Sequence, residues 1–146
     1  MQIREMMTTQ VEVLPPHASI RDAAVKMRDL DVGGIPICDG QKLQGFVTDR
    51  DLAVRAVAEA RDPANTKVSE VMSPNITYCF EDNEVEEAAQ MMESKQLRRL
   101  PIVDRDKRLV GIVSLGDIAV RSEGARRQDP AAEALEGISE PSRPKR

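Results

Sequence analysis

Apolar residues recur at helical spacing in two places along the chain. Ile20, Ala23, Ala24 and Met27 follow i, i+3, i+4, i+7, and Val85, Ala88, Ala89 and Met92 repeat the pattern. Each stripe gives a helix one apolar face, and the alanine pair lets that helix lie close to a sheet. Ser19 is placed to cap the first helix, with Asp22 in its first turn, and Asn83 to cap the second. Ahead of the helices, Val11-Glu12-Val13-Leu14 alternates as a strand does, and Ile76-Thr77-Tyr78-Cys79 is its β-prone counterpart. Gly33-Gly34 and Gln96 mark where the helices end. Two apolar runs then follow each helix, at 35–38 and 43–47 and at 100–103 and 109–113. Polar turns at 39–42 and 104–108 join them, which predicts hairpins. A last helix is predicted from Thr48 and again from Ser114, and residues 2–7 and 67–72 read as short helical entries to the repeats.

The order β-α-β-β-α therefore occurs twice, an α/β (α+β) class of fold, and the copies match residue by residue. Met7 aligns with Met72, Ile20 with Val85, Met27 with Met92, Pro36 with Pro101 and Asp39 with Asp104, all at an offset of 65. Beyond Asp104 the offset is 66, so copy two has one more residue in its hairpin turn, where a fold tolerates it. The polar part of the repeat is Gly45-Phe46-Val47-Thr48-Asp49-Arg50-Asp51-Leu52 against Gly111-Ile112-Val113-Ser114-Leu115-Gly116-Asp117-Ile118. Both follow Gly, two apolar residues, a hydroxyl, two variable residues, Asp and an aliphatic. A repeat of this length fixes the architecture before any single residue does. Each half is marginal alone, so the two are expected to pack on each other. The expected boundaries are 4–62 for copy one, 67–121 for copy two, and a polar, flexible tail over 122–146 with a short helix at 130–135.

Composition narrows the function. A hydrophobic share of 40% supports a core, while aromatics at 2% with no Trp leave no base-stacking platform. Formal net charge is −4, so no basic footprint points to nucleic acid. The tail arginines are balanced by neighbouring acids. No apolar run approaches a membrane span and no signal-peptide pattern opens the chain, so a cytoplasmic location is expected. Cys38 and Cys79 sit in apolar stretches and read as reduced, buried thiols; a redox pair would require the two sulfurs to meet in space. His17 is the one histidine, and no CxxC spacing accompanies it, so no metal site is indicated. Nor is there a nucleophile–base pair or a Gly-rich phosphate loop, so no catalytic residues are assigned.

The ordered set of features resembles the tandem cystathionine-beta-synthase (CBS) domain, whose pairs form a Bateman module. They are Met-Thr/Ser before the first strand, an aliphatic-Pro-aliphatic strand (Ile35-Pro36-Ile37, Leu100-Pro101-Ile102) and Gly-h-h-Thr/Ser-x-x-Asp, in order and twice over, across residues 4–121. The resemblance implies two β-α-β-β-α motifs packed about a pseudo-twofold axis, with two clefts for adenosine-containing ligands (AMP, ADP, ATP, NAD or S-adenosylmethionine). It also implies association into a flat homodimer, and regulation in place of catalysis, exerted through a ligand-dependent change in that dimer.

The residues suit that ligand. Thr48 and Ser114 sit where a strand meets a helix, and there unpaired N–H groups and the dipole favour an anion. Asp51 and Asp117, one turn on, can accept from both ribose hydroxyls. The Ile35-Pro36 and Leu100-Pro101 strands offer an apolar wall for a base. The same Thr48-x-x-Asp51 and Ser114-x-x-Asp117 spacings also read as helix-capping boxes, and the two roles can coexist.

The copies differ. Copy two has Arg98-Arg99 ahead of its hairpin, and in the similar gamma subunit of the AMP-activated kinase an Arg at the Arg99 position meets phosphate; Thr77 also matches the family's usual Thr. Copy one has Gly33-Gly34 and Glu12 instead, with Arg50 as its cation. Thr77, Arg98, Arg99, Leu100, Pro101, Ser114 and Asp117 therefore form the stronger expected site. Glu12, Ile35, Pro36, Thr48, Arg50 and Asp51 form the weaker. The competing reading is a ligand-free CBS scaffold or stress protein that binds an unidentified protein partner. It requires the clefts to be filled, by Glu12 and Arg50 in one and by an Arg98–Asp117 pair in the other.

Overall fold

The structure, a computed structural model, describes residues 1–122. The expected helix at 130–135 and the tail beyond it lie outside the described residues. Helix α1 (Ile20–Leu30) buries Ile20, Ala23 and Met27, and α3 (Val85–Lys95) buries Val85, Ala88, Ala89 and Met92. Ala24 is exposed, so the buried face of α1 is one position narrower than its stripe.

Ser19 caps α1 as expected, its Oγ accepting the Asp22 N–H at 3.0 Å. Asn83 does not cap α3. Glu84 holds that position, its N–H bound by the Glu87 carboxylate at 2.8 Å, while Asn83 Oδ1 closes the preceding turn by accepting the Phe80 N–H at 2.7 Å. Both helices end on a left-handed non-glycine, Asp31 (φ 57°) and Gln96 (φ 56°), so Gly33-Gly34 are not the terminators.

Strands β1 (Gly34–Asp39) and β2 (Lys42–Thr48) form one antiparallel hairpin. Strand β3 (Cys79–Phe80) runs parallel to β4 (Arg99–Val103), and β4 pairs antiparallel with β5 (Leu109–Ser114). Both hairpins shift register at the same repeat position, Ile37/Cys38 and Ile102/Val103. The strands ahead of the helices are shorter than their alternation predicts. In copy one only Leu14 pairs, donating to Pro36 O at 3.1 Å and accepting from Cys38 N–H at 3.0 Å. Pro15 follows at once and, having no N–H to donate, stops the pairing from running on past Leu14. In copy two the strand is β3, so Thr77 lies just ahead of it. The last helices are α2 (Asp49–Asp51), which continues as a π-helical stretch over Leu52–Val57, and α4 (Leu115–Ser122).

The chain divides into two compact units, and they exchange their entry segments. Residues 12–76 make one unit; residues 1–11 join 77–122 in the other. Thus the 3-10 turn Ile3–Glu5, which precedes copy one in sequence, belongs with copy two: Ile3 N–H donates to Asn83 O at 2.8 Å, and Thr8 and Ile112 exchange two bonds of 2.9 Å. The turn Val68–Glu70 belongs with copy one, where Ser73 and Phe46 exchange bonds of 2.9 and 3.1 Å. These crossings explain the repeated glycine. A Cβ on Gly45 would stand 2.8 Å from Ser73 O, and one on Gly111 2.9 Å from Thr8 O.

Each unit has its own core. One joins Ile3 and Met6 to α3, β4, β5 and α4; the other joins α1, Leu14, Ile35, Ile37 and Val47 to Val68 and Val71. Cys38 and Cys79 are free, buried thiols. Burial pushes them up to about 11 and about 12. Native protein at pH 8 should therefore resist iodoacetamide, and both thiols should react once it is unfolded; mass spectrometry reads the difference, and labelling of the native chain would refute the burial. Because the folded state raises these values above 9, their contribution is complete below pH 9 and is lost as pH rises through about 9–12.

Candidate functional site

Each copy builds the same strand-to-helix junction. In copy one, Thr48 Oγ1 accepts the Asp51 N–H at 3.1 Å and Asp51 Oδ2 accepts the Thr48 N–H at 3.0 Å. In copy two, Ser114 Oγ accepts the Asp117 N–H at 3.0 Å. Both hydroxyls therefore cap their helices, and each keeps its own hydrogen free to donate. The strand ahead is tied to the junction in matching ways: Asp49 N–H donates to Gly33 O and Leu115 N–H to Arg98 O, both at 2.9 Å.

The two carboxylates stand differently. Asp51 is only 9% exposed and lies between the Thr48 N–H and the Arg55 guanidinium, whose Nη1 is 3.9 Å from Oδ1. The same Nη1 donates to Val71 O at 3.1 Å and Met72 O at 3.3 Å, fastening the crossing segment to the helix. Asp117 is half-buried and in no ion pair among the described residues. Arg55 escaped the sequence reading, although its place four residues after Asp51 on a helix was a usable signal.

Arg99 is exposed and stands opposite Ser114 in the β4–β5 register, so the structure brings Arg99, Ser114 and the start of α4 to one end of the hairpin. Arg98 is exposed beside it, and Thr77 is half-buried. In copy one Gly34 stands opposite Thr48. Arg50 is exposed, its backbone N–H bound to Asp49 Oδ1 at 2.8 Å. Glu12 is drawn to α1, where Lys26 Nζ holds it at 2.8 Å, because a lysine one strand-to-helix step away is a better partner than an apolar groove. Glu12 thus does not pair with Arg50 to fill a cleft.

Ile35 and Leu100 need correction as a ligand wall. They are 1% and 0% exposed and their side chains belong to the two cores, since strand alternation turns them toward the helices. Alternation turns Pro36 and Pro101 the other way, and they are buried too. Among the described residues no cluster of three or more His, Cys, Asp or Glu can hold a metal, and no helix is long and apolar enough to cross a membrane.

Two matched β-α-β-β-α copies, each with a hydroxyl and an aspartate at the strand–helix junction, define a tandem repeat of one motif. The CBS domain model matches residues 3–57 and 68–124, and the chain belongs to the CBS-domain family. It is 43% identical over 137 residues to CBS domain-containing protein YhcV of Bacillus subtilis, spanning 94% of each chain. Hypoxic response protein 1 of Mycobacterium tuberculosis is 36% identical over 117 residues, 80% of this chain and 81% of its own. A crystal structure of Hypoxic Response Protein I with two coordinated zinc ions matches with a TM-score of 0.76 at 34% identity, covering 83% of this chain and 98% of that one. CBSX2, from Arabidopsis thaliana, is solved in complex with AMP; that structure matches with a TM-score of 0.75 at 26% identity over 86% of this chain and 98% of its own.

Proposed function

We propose that this chain is a non-catalytic regulatory module that binds an adenosine-containing ligand and acts through a ligand-dependent change in a homodimer. The observation that carries the reading is the copy-two junction. Ser114 retains a donor at the start of an eight-residue helix, Asp117 keeps an accessible carboxylate, and Arg99 stands across the hairpin from Ser114. A phosphate, a ribose diol and a counter-charge fit these groups in turn. In this reading Thr77, Arg98 and Pro101 complete the site. The AMP bound by CBSX2 supports the ligand class. Copy one, with Thr48, Asp51, Arg50 and Pro36, is the weaker site because Asp51 is already engaged by Thr48 and Arg55. Val54 and Val120 hold the same repeat position and both are exposed, so each repeat offers an apolar side chain to a second copy of the chain.

Thermal unfolding against AMP, ADP, ATP, NAD and S-adenosylmethionine, with a guanine nucleotide as control, tests the reading. Ligand at about a hundred times its dissociation constant stabilises by roughly 2.7 kcal/mol. No shift with any adenine compound would favour the ligand-free scaffold. Asp117→Ala should weaken binding about ten- to a hundred-fold, the worth of a hydrogen-bonded carboxylate. Asp51→Ala should weaken binding less and lower stability by about 1 kcal/mol through loss of its cap. Calorimetric titration reads both, and equal or reversed binding losses would overturn the ranking.

A further inference from the structure

We infer that Phe46 makes the copy-one site blind to phosphate, so the two repeats divide their ligands, copy one taking an uncharged adenosyl group and copy two a phosphorylated one. The inference rests on the adenosine-binding reading above and concerns what each site selects. The position opposite the junction hydroxyl is Arg99 in copy two and Gly34 in copy one. Gly34 is not empty space. A Cβ there would run into the Phe46 ring, with Cζ at 3.0 Å and Cδ2 at 3.4 Å after a closer approach to Cε2. The ring, two residues before Thr48 on β2 and half-buried, occupies the room a side chain at 34 would need. Copy two has Ile112 at the matching position and leaves Arg99 exposed.

The surrounding charges point the same way. Copy one's junction carries Asp49, Arg50 and Asp51; Arg55 pairs with Asp51 and the Arg50 N–H is bound to Asp49, so two carboxylates face two guanidiniums there. Copy two sets the exposed Arg99 opposite Ser114, a cation at the position where copy one has Gly34. A phosphate at the junction hydroxyl is attracted by Arg99 in copy two and meets no matching cation at position 34 in copy one.

The test compares adenosine with AMP by calorimetric titration of the full chain, using Asp117→Ala to report copy one and Asp51→Ala to report copy two. The Asp51→Ala protein should prefer AMP by about tenfold or more, the worth of one charge-assisted contact. The Asp117→Ala protein should bind adenosine at least as well as AMP. Adding Gly34→Arg with Phe46→Ile to Asp117→Ala should create the AMP preference. Adding Arg99→Gly, an exposed change that leaves the core untouched, to Asp51→Ala should abolish it. Equal AMP preference at both sites, or a ratio indifferent to Arg99→Gly, overturns the division of ligands while leaving adenosine binding intact. Absence of any adenosine or AMP binding to the unmodified chain overturns both readings.

Discussion

Gly111→Ala is expected to unfold roughly 6–12 °C below the parent, a loss of about 2–3 kcal/mol. The added Cβ would stand 2.6 Å from Met7 Sδ and 2.9 Å from Thr8 O. The methionine can swing aside. The carbonyl cannot, because Thr8 and Ile112 hold each other by two bonds of 2.9 Å. Either the crossing segment lifts off or β5 shifts under α4. Gly45→Ala should behave alike, for Ser73 O is 2.8 Å away and tied to Phe46. Two other glycines serve as controls. Gly40 has φ +65° and nothing within 4 Å, so Gly40→Ala should lose about 1 kcal/mol through backbone strain alone. Gly116 lies in α4, and a Cβ there would meet only Ser114 Oγ at 3.9 Å, so Gly116→Ala should gain roughly 0.5–1 kcal/mol. Calorimetric or circular-dichroism melts rank the four. A Gly111→Ala melt as mild as that of Gly40→Ala would mean the crossing segment does not lie where the structure puts it.

Leu100→Ala should lose about 3 kcal/mol, within the 2–5 kcal/mol typical of a leucine removed from a core. Leu100 is 0% exposed and packs with Ile102, Val113, Leu115 and Ile118 around α3. The same variant separates two roles. A leucine lining a ligand wall would lose affinity along with stability; a core leucine loses stability, and the protein still folded binds AMP as before. Urea titration gives the first quantity and calorimetric titration in buffer the second. A drop in affinity of about tenfold at unchanged stability would return Leu100 to the ligand. Pro101, buried on the other face of β4, is expected to lose affinity as well as stability.

Much of this fold was legible because its signals are local. A 3.6-residue stripe found α1 and α3, turn residues found both hairpins, and a hydroxyl three residues before an aspartate found both strand–helix junctions. The errors came where a local signal had a stronger competitor. Alternation at Val11 to Leu14 promised a strand, yet only Leu14 pairs, and Pro15 stops the pairing from running further. Asn83 had a cap's chemistry, and the Phe80 N–H claimed it first. Ile35 and Leu100 looked like a wall for a base because the motif names three residues in a row, while a strand shows only every second one to a given face.

By itself, then, the sequence determined the duplication, the element order, the core stripes and the polar pair at each junction, since each depends on residues within a turn or two of one another. Only the tertiary structure decided three further things. The entry segments change partners, so that Met7-Thr8 lies across Gly111 and Met72-Ser73 across Gly45. Asp51 is enclosed by Arg55 where Asp117 stays open. The Phe46 ring takes the place beside Thr48 that Arg99 holds beside Ser114. Each is a contact between parts of the chain whose meeting depends on how strands and segments pair in space, and no periodicity along the chain encodes that pairing.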